Sequence, residues 1–404
     1  MKKNYFNLGM VTALILGLVV GYFDLEHIHR FADIIGKLFI NMLKLISLPM
    51  IFLAIVSTLT KMESLSEAGS LLKRILKYTI ATTLIAAAVG MILFLIIHPV
   101  SSEQYVGEAL PKQGNYLSFL VKIIPENPVQ PFLENNVLAM AFLATIFSVA
   151  VIKLPKENRT ILKNLFGALF SALLKITSGL ILLMPIGIFA FTVQFMQSIK
   201  GNADQLEKLM LYGSCVIGAN LIQGLIVLPL IVKLKGGSPL KTAKAMLPAL
   251  TMAFFTKSSN ATLPLALDCA KNRLGVSDKT ASFSLPLCSI INMNGCAAFI
   301  LITLFFVCGS QGIFFTPLEM IPWIFLASFA AIGNAGVPMG CFFLTTAFLI
   351  GMGVPVELMG IILPLYSLFD MVETALNVWS DSCITHIVDS EAKTPSLNPL
   401  VEAK

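Results

Sequence analysis

The chain has 404 residues, 56% of them hydrophobic and only 12% charged, with a mean hydropathy of +0.85 and a formal net charge of +6. Soluble domains carry about 25% charged residues, so this composition excludes a water-soluble core protein and marks an integral membrane protein. The positive charge does not point to nucleic acid, because its distribution along the chain reads as membrane topology.

The length suits one polytopic membrane domain of about eight to ten apolar segments at about 20 residues each. Met1-Lys2-Lys3 precedes an apolar run from Tyr5 to Tyr22. No small-residue cleavage site follows, so the run reads as a first membrane helix rather than a signal peptide. Further helices are predicted near 33–58, 75–99, 136–151, 162–196 and 209–232. Segment 101–134, with Pro111, Pro125, Pro128 and Pro131, reads as a long extracellular loop. One set of alternating loops (1–3, 59–77, 152–163, 233–246) holds 14 Lys/Arg, while the other holds five: Arg30, Lys112, Lys122, Lys200 and Lys208. The positive-inside rule makes the first set cytoplasmic, with the N-terminus among it.

After Lys244 the pattern changes. Two apolar segments, about 243–272 and 320–352, are broken by small and polar residues at 256–264 and 331–340. Each half is too short to span, and Pro and Gly interrupt the helix ladder. Unpaired backbone at that depth persists only when buried in protein or lining a watery cavity. Both segments therefore read as re-entrant helical hairpins. A long apolar helix with a polar interruption follows each one: about 280–308 with Asn292-Met293-Asn294-Gly295, and about 356–388. A hairpin and helix, repeated, is the pattern of an inverted repeat in a secondary transporter, with substrate bound where the broken elements converge.

The last helix carries Asp370, Glu373, Asn377 and Asp381. Offsets of three, seven and eleven at about 100° per residue place all four within about 80° of arc. A carboxylate at the bilayer centre costs about 2.5–3.5 kcal/mol even on the lenient insertion scale, so this stripe is expected to face a cavity and hold something charged. The seven cysteines fall in or beside apolar stretches and form no metal-ligand spacing or disulfide framework, and the four histidines form no cluster. There is no nucleophile–base pair or phosphate loop, so an enzyme is not expected.

The ordered motifs Gly36-Lys37, Leu45–Pro49, Phe255–Pro264, Asn292–Gly295, Gly333–Pro338 and Asp370–Asp381 resemble the dicarboxylate/amino acid:cation symporter family, which includes the glutamate transporters. The resemblance runs over nearly the whole chain. It implies an all-α membrane fold of eight transmembrane helices plus two re-entrant hairpins, arranged as inverted repeats in an elevator-type homotrimer. A scaffold part (about 1–74 and 136–208) would support a mobile transport part (about 75–100 and 209–388).

Position by position, the resemblance places the substrate ammonium on Asp370 and its α-carboxylate on Asn377 and Ser259, with Ser258, Thr374 and Val337 completing the substrate set. A fixed carboxylate for an ammonium, and amide, hydroxyl and open N–H groups for a carboxylate, are the donors and acceptors such a ligand needs. The resemblance likewise implies sodium at Asp381, Asn292 and Asn377, with Cys288 and Ile290 beside them. A second sodium would sit on the carbonyls of Ala331, Ile332 and Asn334, and part of a third on Thr82 and Thr83.

Three positions depart from the family pattern. Glu373 stands where members that take glutamate or aspartate have an arginine, so acidic amino acids are rejected as substrates. The run Glu373-Thr374-Ala375-Leu376-Asn377 instead resembles the bacterial serine/threonine–sodium symporters. Cys296 replaces a threonine that helps hold a side-chain carboxylate. Asn294 replaces an aspartate of the third sodium site, which implies one or two coupled sodium ions.

The resulting expectation is sodium-coupled uptake of small neutral amino acids, serine or threonine foremost, across a bacterial inner membrane, with both termini cytoplasmic. Sodium is the coupling ion and no organic cofactor or nucleic acid is called for; the partners are the amino acid, the bilayer and two further copies of the chain. The rival readings are a symporter of cationic or sulfur-containing amino acids or of C4-dicarboxylates, with protons contributing, and an ion channel.

Overall fold

The computed structural model describes residues 2–23, 26–60, 69–100, 124–134, 136–199, 203–334 and 339–393. Every element among them is helical. In chain order these are α1 (Lys2–Tyr22), α2 (Glu26–Leu59), α3 (Gly69–Ile97), the short α4 (Gln130–Leu133), α5 (Val137–Ile152), α6 (Lys156–Leu182), α7 (Met184–Ile199) and α8 (Ala203–Ile222). A π-helical turn, Gln223–Val227, joins α8 to α9 (Leu228–Leu234). Then come α10 (Pro239–Thr256), α11 (Ser259–Asp268), α12 (Asp278–Ile291), α13 (Asn294–Ser310), α14 (Pro317–Gly333), α15 (Gly340–Gly351) and α16 (Glu357–Lys393).

Among the described residues, five stretches are long and apolar enough to cross a membrane: Ser70–Ile97, Lys156–Thr177, Asp204–Leu234, Asp278–Ser310 and Glu357–Lys393. Both predicted hairpins form as broken helices. The first pairs α10 with α11, and the second comprises α14 and α15. One predicted helix needs correction. The segment 162–196 is two helices, α6 and α7, separated at Leu183. Pro185 has no N–H to continue an i to i−4 ladder, yet it fits the first turn of a new helix. The loop predicted over 101–134 lies outside the described residues up to 123, and its end holds α4.

Packing divides the helices by environment. Helix α13 is buried along Asn294–Gly309, which is why its sequence is apolar on every side. Tyr212 stacks on Phe306 at 4.5 Å between ring centroids, and Phe299 and Phe342 both meet Tyr366, so aromatic rings fill the centre. Helix α6 is the opposite case: Ile161, Leu165, Leu169, Ile176 and Leu182 are all exposed. Helices α1, α2, α5, α6 and α7 pack mainly on one another. Helix α3 joins α8 and the segment from α9 onward, and the main contacts between the groups are α15 on α2 and α16 on α7.

Candidate functional site

Local sequence brings two helix ends to one place. Helix α10 begins at Ser238, whose side chain caps it, and ends at Lys257, whose φ of +53° reverses the chain. Ser258 then caps α11 by accepting the Ala261 N–H at 3.2 Å. In the second hairpin, Thr316 and Glu319 form a reciprocal capping box, and α15 restarts at Gly340 after α14 ends. A Cβ on Gly340 would come within 1.5 Å of Asn334 Oδ1, so only glycine lets that side chain turn inward.

The hairpins enclose a pocket with α13 and α16. Its lining includes Ser258 and Ser259 from the first hairpin, Asn334 and Cys341 from the second, Cys296 from α13, and Asp370, Glu373, Thr374 and Asn377 from α16. Its volume is about 30 Å³. Glu373 is 1% exposed, and among the described residues neither of its carboxylate oxygens has a hydrogen-bond partner. Asn377 accepts the Gly295 N–H at 2.9 Å, and its amide nitrogen lies 3.7 Å from Cys296 Sγ. Gly295 permits this approach, because a Cβ there would sit 2.9 Å from the Glu373 Cα. Lys257 donates to Ser367 Oγ at 3.0 Å at the pocket edge. Cys296 and Cys341 are joined as a disulfide, which corrects the expectation that the cysteines form none: the pair is 45 residues apart in sequence and meets only where α13 packs on α15.

A second polar cluster lies further along α16. Asn292, in the break between α12 and α13, donates to Asp381 Oδ1 at 2.8 Å. The Asn294 amide donates to Asn292 Oδ1 at 2.8 Å, Ser380 Oγ at 2.9 Å and Thr82 Oγ1 at 3.3 Å. Gln223 donates to Asn294 Oδ1 at 2.7 Å and to the Thr82 carbonyl at 3.0 Å. Each bond contributes about 0.5–1.5 kcal/mol, and leaving any of these buried groups unpaired costs more. Thr82, Asn292, Asn294 and Asp381 thus meet; carboxylate and amide oxygens of this kind suit a hard cation, but those of Asn292, Asn294 and Asp381 each already accept an N–H. Thr83 Oγ1, by contrast, is buried with no partner among the described residues.

The remaining expected residues are placed as follows. Cys288 is buried and touches Ser284 Oγ at 3.7 Å, and Ile290 is half-buried. The Ala331 carbonyl accepts the Asn334 N–H at 3.1 Å, which uses one of its two lone pairs, and Ile332 is half-buried beside it. The Ser258 hydroxyl oxygen accepts the capping bond from Ala261, while Ser258 also lines the pocket. Val337 lies outside the described residues. Sequence reasoning missed Lys257, Met293, Cys341, Tyr366, Ser380 and Gln223. Gln223 left a signal: with Asn220 it puts two amides in an otherwise apolar stretch, and it opens the π turn, a distortion frequent at functional sites.

Comparison with known proteins gives the family. The profile of the Sodium:dicarboxylate symporter family matches residues 6–391. The chain belongs to that family. Among its relatives, Excitatory amino acid transporter 3 of Mus musculus is 26% identical over 97% of this chain and 86% of its own length. Neutral amino acid transporter B(0) of Oryctolagus cuniculus is 26% identical over 91% of this chain and 76% of its own length. The L-cystine uptake protein TcyP of Bacillus thuringiensis is 25% identical over 96% of this chain and 90% of its own length. The symporter is therefore a multi-pass membrane transporter with the glutamate-transporter fold, not an enzyme, and its family couples transport to sodium.

Proposed function

We propose that this symporter carries small neutral amino acids, serine or threonine foremost, into the cell together with sodium. The observation that carries this reading is the charge of the pocket. Among the described residues, its lining holds two carboxyl groups, Asp370 and Glu373, against one cation, Lys257. Asp370 would take the substrate ammonium. The Asn377 amide and the N-terminus of α11 at Ser259 would take the α-carboxylate, where a helix start offers N–H groups and a positive dipole end. Glu373 would then meet the side chain. An acid there repels a substrate carboxylate but pairs with a hydroxyl, and the small cavity favours a small side chain.

The Asn294 cluster supports a low sodium count. One amide group faces three oxygens, on Thr82, Asn292 and Ser380, and Gln223 adds another N–H. These N–H dipoles stand where acceptor oxygens would otherwise draw a cation. We therefore propose one or two coupled sodium ions, with Asp381 and Asn292 in one site and the end of α14, at Ala331, Ile332 and Asn334, in the other. The two packing groups of helices are the proposed scaffold and transport parts. The exposed apolar face of α6 suits lipid or neighbouring copies in a homotrimer. The loop charges support cytoplasmic termini, and a bacterial inner membrane is the proposed location.

A second reading has an observation of its own. Unpartnered Glu373 beside the Cys296–Cys341 pair also fits a cationic or sulfur-containing amino acid. Uptake of labelled serine into proteoliposomes under an inward sodium gradient separates them. We expect sodium-driven accumulation blocked by threonine and not by aspartate; inert serine with uptake of lysine, arginine or cystine would replace the first reading by the second. Charge moved per serine then tests the ion count, and three sodium ions would overturn it.

A further inference from the structure

The pocket holds a combination that amino acid recognition does not require. Cys296 near the start of α13 and Cys341 near the start of α15 have Cα atoms 5.4 Å apart, although 45 residues separate them in sequence. Glu373 reaches the same spot from α16. One carboxylate oxygen and the two sulfurs lie within 4.8 Å of one another, and all three residues are buried. The Asn334 amide nitrogen sits 3.4 Å from Cys296 Sγ and 3.6 Å from Cys341 Sγ. Glu373 is buried with both oxygens unpartnered among the described residues, an arrangement that a bound cation would relieve.

We propose that, in the dithiol form, this pocket binds a thiophilic divalent cation of the zinc and cadmium class through Cys296, Cys341 and Glu373, with the fourth position open to the cavity. A phosphine reductant delivers two electrons to the disulfide, the S–S bond breaks, and two protons are taken up to give two thiols. The reductant leaves as its phosphine oxide, with oxygen from water. The cation then displaces the thiol protons as two metal–sulfur bonds form. Metal–sulfur bonds of about 2.3 Å and metal–oxygen bonds of about 2.0–2.2 Å in a tetrahedral site set ligand separations of roughly 3.5–3.8 Å. The three groups lie within 4.8 Å of one another, so small side-chain movements after the S–S bond opens bring them to that spacing. Two soft thiolates select zinc or cadmium over sodium, magnesium or calcium. The ligands come from three separate elements, so the metal pins the second hairpin against α13 and α16. It therefore excludes substrate, a consequence that rests on the pocket being the substrate site, whereas the binding itself does not.

The test titrates the purified full-length protein with cadmium after reduction by a phosphine and desalting, reading the ultraviolet sulfur-to-cadmium charge-transfer band. We expect a single equivalent bound per chain and no band in protein kept oxidised. Cys296→Ala and Cys341→Ala should each abolish the band, and Glu373→Gln should weaken binding by about tenfold or more. Oxidised and reduced protein share one sequence, so that contrast survives even if a variant fails to fold. The proposal falls if reduced protein shows no band, if oxidised protein binds equally, or if Cys341→Ala keeps a full equivalent at another of the buried cysteines. It also falls, as a three-ligand site, if Glu373→Gln binds unchanged. Labelled serine added to the cadmium-loaded protein keeps the two readings apart. Cadmium bound without competition leaves the metal site standing and removes the substrate assignment, while competent serine binding with no cadmium band removes the metal site alone.

Discussion

Glu373 and Asp381 belong to one acidic stripe on α16 and are equally buried, at 1% and 3% exposure, yet their surroundings are opposite. Asp381 accepts from Asn292, inside a cluster in which Asn294, Gln223, Ser380 and Thr82 bond to one another. Glu373 has no such support and faces a cavity lined by sulfur and amide groups. A buried acid with its bonds made within the protein is held in place; one without them is kept for a ligand that brings its own donor or charge. We propose that the two acids serve different steps. We assign Glu373 to substrate selection and Asp381 to the coupled ion.

Three changes bear on that division. The largest effect is expected from Glu373→Arg, which reverses the charge at the selecting position. A misplaced or missing partner in a buried pair costs about 2–5 kcal/mol, so serine uptake should fall by roughly a hundredfold or more while aspartate uptake appears. Competition assays in proteoliposomes measure both, and retention of serine selectivity would break the assignment. Asp381→Asn should leave selectivity intact and raise the sodium concentration for half-maximal uptake by about tenfold, within the usual range of coupling energies. By linkage, serine affinity at fixed sodium should weaken in parallel. A change in which amino acid is taken, with sodium dependence unmoved, would merge the two roles. The smallest effect is expected from Gly340→Ala, whose Cβ collides with Asn334. Overpacking of this kind costs about 1–3 kcal/mol, so the melting temperature should fall and substrate affinity weaken modestly. Unchanged melting would show that the inward turn of Asn334 matters little to the pocket.

Both hairpins were legible because small and polar residues interrupt their apolar runs, although the first break is only Lys257 and Ser258, and Ser259–Pro264 already belong to α11. The stripe on α16 was legible because charge in so apolar a chain is costly. Its division was not. A span of eleven residues rises about 16 Å along a helix, so Asp370 and Asp381 share a face but cannot share one small ligand. Which of them meets a satisfied neighbour depends on α3, the π turn and α13, elements distant in sequence. Gln223 was visible as an amide in an apolar stretch, yet nothing local tied it to Asn294, 71 positions away.

Composition, helical periodicity and the polar breaks determined by themselves that this is a helical membrane transporter with two re-entrant hairpins, since lipid leaves a chain few ways to satisfy its backbone. The family profile over residues 6–391 agrees with that reading. Only the tertiary structure decided which buried polar groups are paired and which are not. The juxtaposition of Cys296, Cys341 and Glu373 arises where three helices meet, and the spacing of 45 residues between the cysteines carries no trace of it. Hydrogen-bond satisfaction is a property of the whole packed core, and the order of residues along one helix does not contain it.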